Sequence, residues 1–311
     1  MGVFLFLQAF ITYTFAELYQ LVYKTTMKSL ESISYKNNNI QGCGIGLRID
    51  HFNVIEEQKP DIPWFEILSD NYILEGTLQR DYLYQIRNDY PITFHGVGMS
   101  IGSTEPLNMD YLQRLKKLKD EVQPAWISDH LCWTSAHGVV THDLIPLPYT
   151  QDVVKHIVDR ILKVQDFLGE QIVIENVSSY LQFKDTEMTE WDFINEVTNR
   201  SDCKLLLDVN NIYVSSQNHQ FNADDYLFAM PAERVAEIHL AGYEDKGTHL
   251  LDTHSRPVTE PVWDLFKKAI QHVGNVPVLI EWDNDIPPLA RLLEESATAQ
   301  KLQQQVLSRG H

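Results

Sequence analysis

From Gly44 onward, eight short apolar, β-rich runs alternate with longer helical patterns. The runs are GIGLRI (44–49), WFEIL (64–68), ITFHGV (92–97), AWISDHL (125–131), QIVIEN (171–176), KLLLDV (204–209), VAEIHLA (235–241) and VPVLIEW (276–282). They are apolar on both faces, as parallel strands covered on both sides must be. Helical periodicity is clearest over 111–122, 151–168, 189–200 and 260–273, the last with Pro261 in its first turn, where proline is tolerated. Eight strand–helix units in about 250 residues is the size of a (β/α)8 barrel. An open doubly wound sheet is the structural alternative, but it would carry a Gly-rich phosphate loop after the first strand, and none is present. The reading is an α/β TIM-type barrel over 44–311, preceded by an N-terminal extension and linker over 1–43.

The extension is helical or disordered on this reading. Met1–Tyr23 is apolar but broken by Gln8, Glu17 and Gln20, and it lacks the basic start of a secretory signal. Glu17 would be costly in lipid, so a membrane span is not expected. Three readings compete: an extra amphipathic helix, a weak signal anchor, or translation upstream of a start at Met27. The first or third is favoured. Residues 34–44 read as a polar linker, and QKLQQQ (300–305) is the one low-complexity tract.

The 25 basic and 43 acidic side chains leave a formal charge of −18. Such a surface repels phosphates and argues against nucleic acid as a partner. Cys43, Cys132 and Cys203 are widely spaced, odd in number and form no C-x-x-C pair. A reducing, cytoplasmic compartment is therefore expected rather than a disulfide framework.

The most informative observation is where the polar residues fall. His51 follows the first run; Glu66 lies within the second, with Asn71 beyond it. His95 ends the third, Asp129 and His130 the fourth, and Glu175 and Asn176 the fifth. Asp208, Asn210 and Asn211 end the sixth and His239 the seventh. Asp252-x-His254 lies in the loop after it, and Glu281 and Asp283 end the eighth. In a barrel these ends converge on one face. One such residue alone is more often a helix cap or a satisfied polar group. The set is harder to dismiss, because buried Glu after runs such as QIVIE and PVLIE costs several kcal/mol unless cations neutralise it. Few basic residues are near; Arg48 and Arg256 are the obvious ones. Divalent metal is the economical counter-charge, and imidazole plus carboxylate without thiolate suits Fe, Mn or Zn. His156 and His272, in helical patterns, are expected to be solvated. Cys132 reads as a small core residue rather than a catalytic thiol.

The ordered blocks GIGLR…H (44–51), WFEILSDNY (64–72), HGVGMSIGS (95–103), SDHLCW (128–133), DLIPLPYT (143–150), IENVSSYL (174–181), LLLDVNNIYVS (206–215), EIHLAGY (237–243), DTHSRPV (252–258) and IEWDNDIPPL (280–289) resemble the multinuclear non-haem iron-dependent oxidative enzymes. That family includes the enzyme that builds the copper-chelating peptide methanobactin. The resemblance runs from about Gly44 to about Glu295. It implies a barrel related to those of xylose isomerase and endonuclease IV, holding two or three iron ions in mixed Fe2+/Fe3+ states. Carried over by position, the implied ligands are His51, His95, Glu175, Asp208, His239, Asp252, His254 and Glu281. Asn71, Asp129, His130 and Asn211 are further ligands or residues that orient them. Asp70 and Asp129 stand where related sequences often have Glu, and His142 where Asn is common.

The resemblance also implies an activity: O2-dependent oxidation of a ribosomally made precursor peptide at cysteine, with a separate partner protein presenting the peptide. Glu175, Asp208 and Glu281 are the expected catalytic residues. Glu175 and Glu281 would bridge metals, His95 with His51 would complete one site, Asp208 with His239 a second, and Asp252 with His254 a third. The rivals are a metal-dependent hydrolase or nuclease of the endonuclease IV type, disfavoured by charge, and a sugar isomerase, which would offer a catalytic Lys. A barrel that only binds metal or peptide is the non-enzymatic alternative.

Overall fold

The computed structural model describes residues 40–136 and 139–309. The expectations for residues 1–39, for His137 and for the side chain of His142 lie outside the described residues.

All eight expected strands form. In chain order they are β1 (Cys43–Gly46), β2 (Phe65–Leu68), β3 (Ile92–Gly96) and β4 (Ile127–His130), then an unforeseen antiparallel hairpin of β5 (Trp133–Ala136) and β6 (Val139–Ile145). There follow β7 (Val173–Glu175), β8 (Lys204–Asp208) and β9 (Val235–Leu240), a second hairpin of β10 (Tyr243–Asp245) and β11 (Leu250–Asp252), and β12 (Val278–Ile280). The eight main strands are parallel and close a barrel in the order β1-β2-β3-β4-β7-β8-β9-β12, with β12 pairing back to β1. Both hairpins follow the C-terminal ends of barrel strands, β4 and β9, so they rise around one mouth.

Helices surround the strands: α1 (Phe52–Gln58), α2 (Leu78–Asp89), α3 (Met109–Val122), α4 (Gln151–Leu168), α5 (Glu190–Ser201), α6 (Val209–His219), α7 (Ala223–Ala229), α8 (Glu260–Val273) and α9 (Leu289–Arg309). Their apolar stripes, such as Leu112, Leu115 and Leu118 on α3 and Ile157, Ile161 and Val164 on α4, are buried with the apolar strand residues. Local chemistry sets the ends. The Asn108, Thr150 and Asn222 side chains each accept a backbone N–H in the first turns of α3, α4 and α7. Pro261 occupies the first turn of α8, as expected.

One expectation is corrected. His156 and His272 are half-buried rather than solvated, and each Nε2 bonds a loop carbonyl, Ser103 O at 2.9 Å and Met230 O at 2.8 Å. The Gln-rich tail is part of α9 and ties that helix to the barrel: Gln300 Oε1 accepts the Cys43 N–H at 3.0 Å, and Gln303 donates to Val276 O at 2.7 Å. Among the described residues, no helix is long and apolar enough to cross a membrane.

Candidate metal centre

Side chains alternate across a strand, so residues i and i+2 share a face. Thr93 and His95 on β3, Ser128 and His130 on β4, and Glu237 and His239 on β9 are such pairs, all turned into the barrel. The contact of His239 on β9 with Glu66 on β2, a strand that does not neighbour it, requires both to lie inside. His95, Glu175, Asp208 and His239 are 0% exposed.

Among the described residues five groups of possible donors form: three at the strand C-terminal ends, a combination of His95, His239 and Glu281 that overlaps them, and Glu66, Glu237 and His239 elsewhere in the barrel. In the first of the three at the strand ends, His95 Nε2 and His130 Nε2 each stand 3.1 Å from Glu175 Oε2 and 3.3 Å from each other. The second gathers Glu175, Asp208, His239 and Glu281. There His239 Nδ1 lies 3.0 Å from Glu281 Oε2 and 3.9 Å from Glu175 Oε1. The third joins His254, Glu281 and Asp283. His254 Nδ1 is 3.0 Å from Glu281 Oε2 and 3.4 Å from Asp283 Oδ2, while its Nε2 is 2.8 Å from Asp252 Oδ1. Within these three, Glu175 and Glu281 each belong to two.

Separations of this kind are what ligands of one ion have. Two donors ~2.1 Å from a metal, at roughly tetrahedral or octahedral angles, stand about 3.0–3.4 Å apart. The orphaned atoms agree: Glu175 Oε2, Asp208 Oδ2 and His254 Nε2 are buried without a properly directed hydrogen bond, despite close neighbours. They converge on shared points rather than on each other, so the residues fit a metal.

Surrounding groups fix which atoms face inward. His95 Nδ1 donates to Ser128 Oγ at 2.8 Å, and that hydroxyl donates on to Phe94 O, which leaves His95 Nε2 for the centre. His130 Nδ1 likewise donates to Gly96 O at 2.9 Å. Asp208 Oδ1 caps α6 by accepting the Asn211 N–H at 2.6 Å, so Oδ2 is the free oxygen. The Asn211 amide donates to Asn176 O at 3.0 Å and to Glu175 Oε1 at 3.4 Å. Asp252 is held by Ser178 Oγ and the Asn210 amide at 2.9 and 2.8 Å. His254 has φ 44°, a left-handed conformation uncommon outside glycine, and its carbonyl accepts the Asp283 N–H at 2.7 Å.

The electrostatics follow from burial and crowded charge. Burial drives the His95 imidazolium down, yet Glu175, Glu66 and Glu281 outweigh it and push the group up to about 10. Burial, reinforced by Glu175 and Asp252, holds Asp208 well above the usual carboxylate range, with His254 opposing. Glu281 is held well below that range: burial raises it, but His254 and His239 together prevail. The nearby guanidinium is that of Arg48, which pairs with Asp283 Oδ1 at 2.5 Å and donates to Trp282 O. Arg256 is largely exposed and pairs with Glu244 and Asp285 instead.

The expected residues thus separate. His95, Glu175, Asp208, His239, His254 and Glu281 come together, with Asp252 against His254. His130 belongs with them, in the place beside His95 where His51 was expected. His51 stands outside the three groups, with Nε2 on Pro287 O at 2.8 Å and Nδ1 buried without a partner. Asn71 is exposed and also outside. Asp129 points to the loop after β3, accepting the Met99 and His130 N–H groups. Burial, then the Asp70 charge, pushes it up to about 8. Glu237 and Ser128 were passed over, while Glu66 and Asp283 were noted at their strands but left out of the implied ligands. The i, i+2 pairs T-x-H, S-x-H and E-x-H on three strands were the available signal. Burial holds the Cys132 thiol well above its ordinary range, as suits a core residue.

Over the groups opens a cleft of about 770 Å³, lined among others by His130, Asn211, His254 and Glu281 at its base and by Val97, Leu144 and Tyr180. A second cavity, of about 700 Å³, adjoins Ser179 and Trp191 and contains no member of the three groups.

A family model described as RiPP precursor modification enzyme MbnB/TglH/ChrH matches residues 42–304. The chain belongs to this family. Every donor in the three groups lies within the matched span. A UPF0276 protein of Acaryochloris marina (strain MBIC 11017) is 53% identical over 260 residues, 84% of this chain and 94% of the relative. A UPF0276 protein of Vibrio parahaemolyticus is 44% identical over 267 residues, 85% and 93% of the two chains. Among solved structures, endonuclease IV from Thermus thermophilus aligns with a TM-score of 0.55 and 13% identity, covering 86% of this chain and 99% of its own. D-psicose 3-epimerase from Clostridium cellulolyticum gives 0.55 and 11%, covering 86% and 99%. These likenesses extend to the fold alone. Membership in the MbnB/TglH/ChrH family makes the chain one of a group of enzymes that modify precursor peptides.

Proposed function

We propose that the chain oxidises cysteine in a ribosomally made precursor peptide, using O2 and a centre of two or three iron ions in mixed Fe2+/Fe3+ states. The observation that carries this reading is the convergence of buried imidazole and carboxylate atoms, at coordination separations, beneath a cleft in a peptide-modifying family. His95, His130 and Glu175 would hold one ion. Glu175, Asp208, His239 and Glu281 would hold a second, and Glu281, His254 and Asp283, with Asp252 adjoining, a third. Glu175 and Glu281 are the bridging candidates, because one carboxylate has two oxygens to share. His51 is assigned no ion.

Bound iron would supply the redox chemistry and the affinity for a thiolate. The chain's own residues do the rest. Ser128 and the Gly96 carbonyl orient His95 and His130, and Asn211 orients Glu175. Val97, Leu144 and Tyr180 offer apolar surface to the peptide flanking its cysteine. A volume of about 770 Å³ admits a few residues, within the range of ordinary ligand clefts. A separate partner protein presents the rest of the peptide in the cytoplasm.

The test is co-expression with a cysteine-containing candidate precursor, reading iron content, O2 consumption and peptide mass. The native chain should consume O2 and change the peptide mass. Glu175→Gln and Glu281→Gln should each lose iron and turnover. Full activity in either variant with unchanged iron would sink the assignment.

A further inference from the structure

Beneath the centre lies a second carboxylate pair that none of the three groups uses. Glu66 on β2 and Glu237 on β9 are buried in the barrel, 2% and 0% exposed. Each has one oxygen tied to the wall: Thr93 Oγ1 donates to Glu66 Oε2 at 3.0 Å, and Trp126 Nε1 donates to Glu237 Oε2 at 2.9 Å. Their other oxygens face one atom, His239 Nε2, at 3.1 and 3.6 Å. Both distances are ion-pair contacts: neither Glu237 Oε1 nor His239 Nε2 makes a directed hydrogen bond, to each other or to any other described residue.

We propose that Glu66 and Glu237 are positioning residues that hold the proton of His239 on Nε2 and so dedicate Nδ1 to the metal. A neutral imidazole has one N–H and one lone pair. His239 turns Nδ1 toward Glu281 and Glu175, the opposite sense to His95 and His130, whose Nε2 atoms face the centre. If Nδ1 gives its lone pair to an ion, Nε2 keeps its hydrogen, and a buried N–H needs an acceptor. Ser128 and Gly96 O meet this need for His95 and His130; on the floor, the carboxylates of Glu66 and Glu237 stand beside His239 Nε2. A carboxylate behind a ligating imidazole also makes the ring a stronger donor. The same argument opposes a further cation between Glu66, Glu237 and His239, since the ring has no second lone pair to offer it.

The inference rests on the proposed metal centre, so the experiment separates the two. Zinc, which is diamagnetic, is titrated into the full-length chain and into Glu66→Gln, Glu237→Gln and the double variant. Affinity is read by competition with a chelator. The His239 ring is read by long-range 1H–15N correlation, assigned with a His239→Gln control. Failure of the native chain to bind zinc would refute the metal centre itself. With the native chain loaded, the expected spectrum has a protonated Nε2 and a metal-bound Nδ1. The single variants should bind zinc about 10- to 100-fold more weakly. They should also lose the uniform Nε2–H signature while keeping the native circular dichroism. Unchanged affinity and tautomer in the double variant would overturn the positioning role and leave the centre standing. A metal-bound Nε2 in the native chain would also overturn it, in favour of an ion on the barrel floor. Should the double variant fail to fold, the two single variants decide by the same readings.

Discussion

At the residue scale, the centre depends on side chains whose two polar ends do different work. Asp208 caps a helix with one oxygen and presents the other, and His95 and His130 each anchor one nitrogen and present the second. Backbone crowding matters as much. A Cβ on Gly242 would lie 2.1 Å from Arg256 O and 2.5 Å from Pro257 O, both backbone atoms that cannot swing aside. These carbonyls belong to the segment that follows His254. Gly242→Ala should therefore cost about 1–3 kcal/mol by overpacking and should weaken metal binding by shifting His254. A thermal melt and a metal titration check it; native values in both would refute the account. His51 shows the limit of single-residue reading. It follows the end of its strand, whereas His95 and His239 lie within theirs, and a short 3-10 turn, Ile49–His51, carries it past the donors to Pro287.

At the scale of elements, barrel strands were legible because they are buried on both faces and read as continuous apolar runs. The hairpins β5–β6 and β10–β11 were not. WTSA and YED are short and polar, and their pairing is set by docking around the cleft rather than by intrinsic preference. Helix α9 includes the Gln-rich tract, a composition that by itself names no contacts. Here Gln300 and Ser296 satisfy both backbone groups of Cys43, Gln300 by accepting its N–H and Ser296 by donating to its carbonyl at 2.8 Å. Gln300→Leu would leave the Cys43 N–H without its acceptor and should cost about 1–3 kcal/mol. Urea unfolding with an unchanged slope would read that loss as a lower midpoint; an unmoved midpoint would count against the contact.

At the scale of the molecule, the charge of −18 and the buried carboxylates have a common consequence. Anything that binds the folded chain alone stabilises it, by ~2.7 kcal/mol at a free concentration 100 times its Kd. Metal removal by a chelator should lower the melting temperature, and adding back Fe2+ without oxygen should restore it. Calorimetry of the native chain and of Glu175→Gln makes the comparison; an equal chelator effect on both would disconnect the metal from this centre.

Hydrophobic pattern and spacing by themselves determined the eight strands, the barrel and the face on which His, Asp and Glu collect. Those are consequences of which side chains must leave water, and a one-dimensional pattern records that. The ordered motifs carried the family. The tertiary structure decided partnership: that His130 rather than His51 joins His95, that Glu175 and Glu281 each serve two groups, and that Glu66 lies behind His239 across the barrel. Such contacts join strands far apart in the chain, and barrel curvature and strand register decide which ends meet.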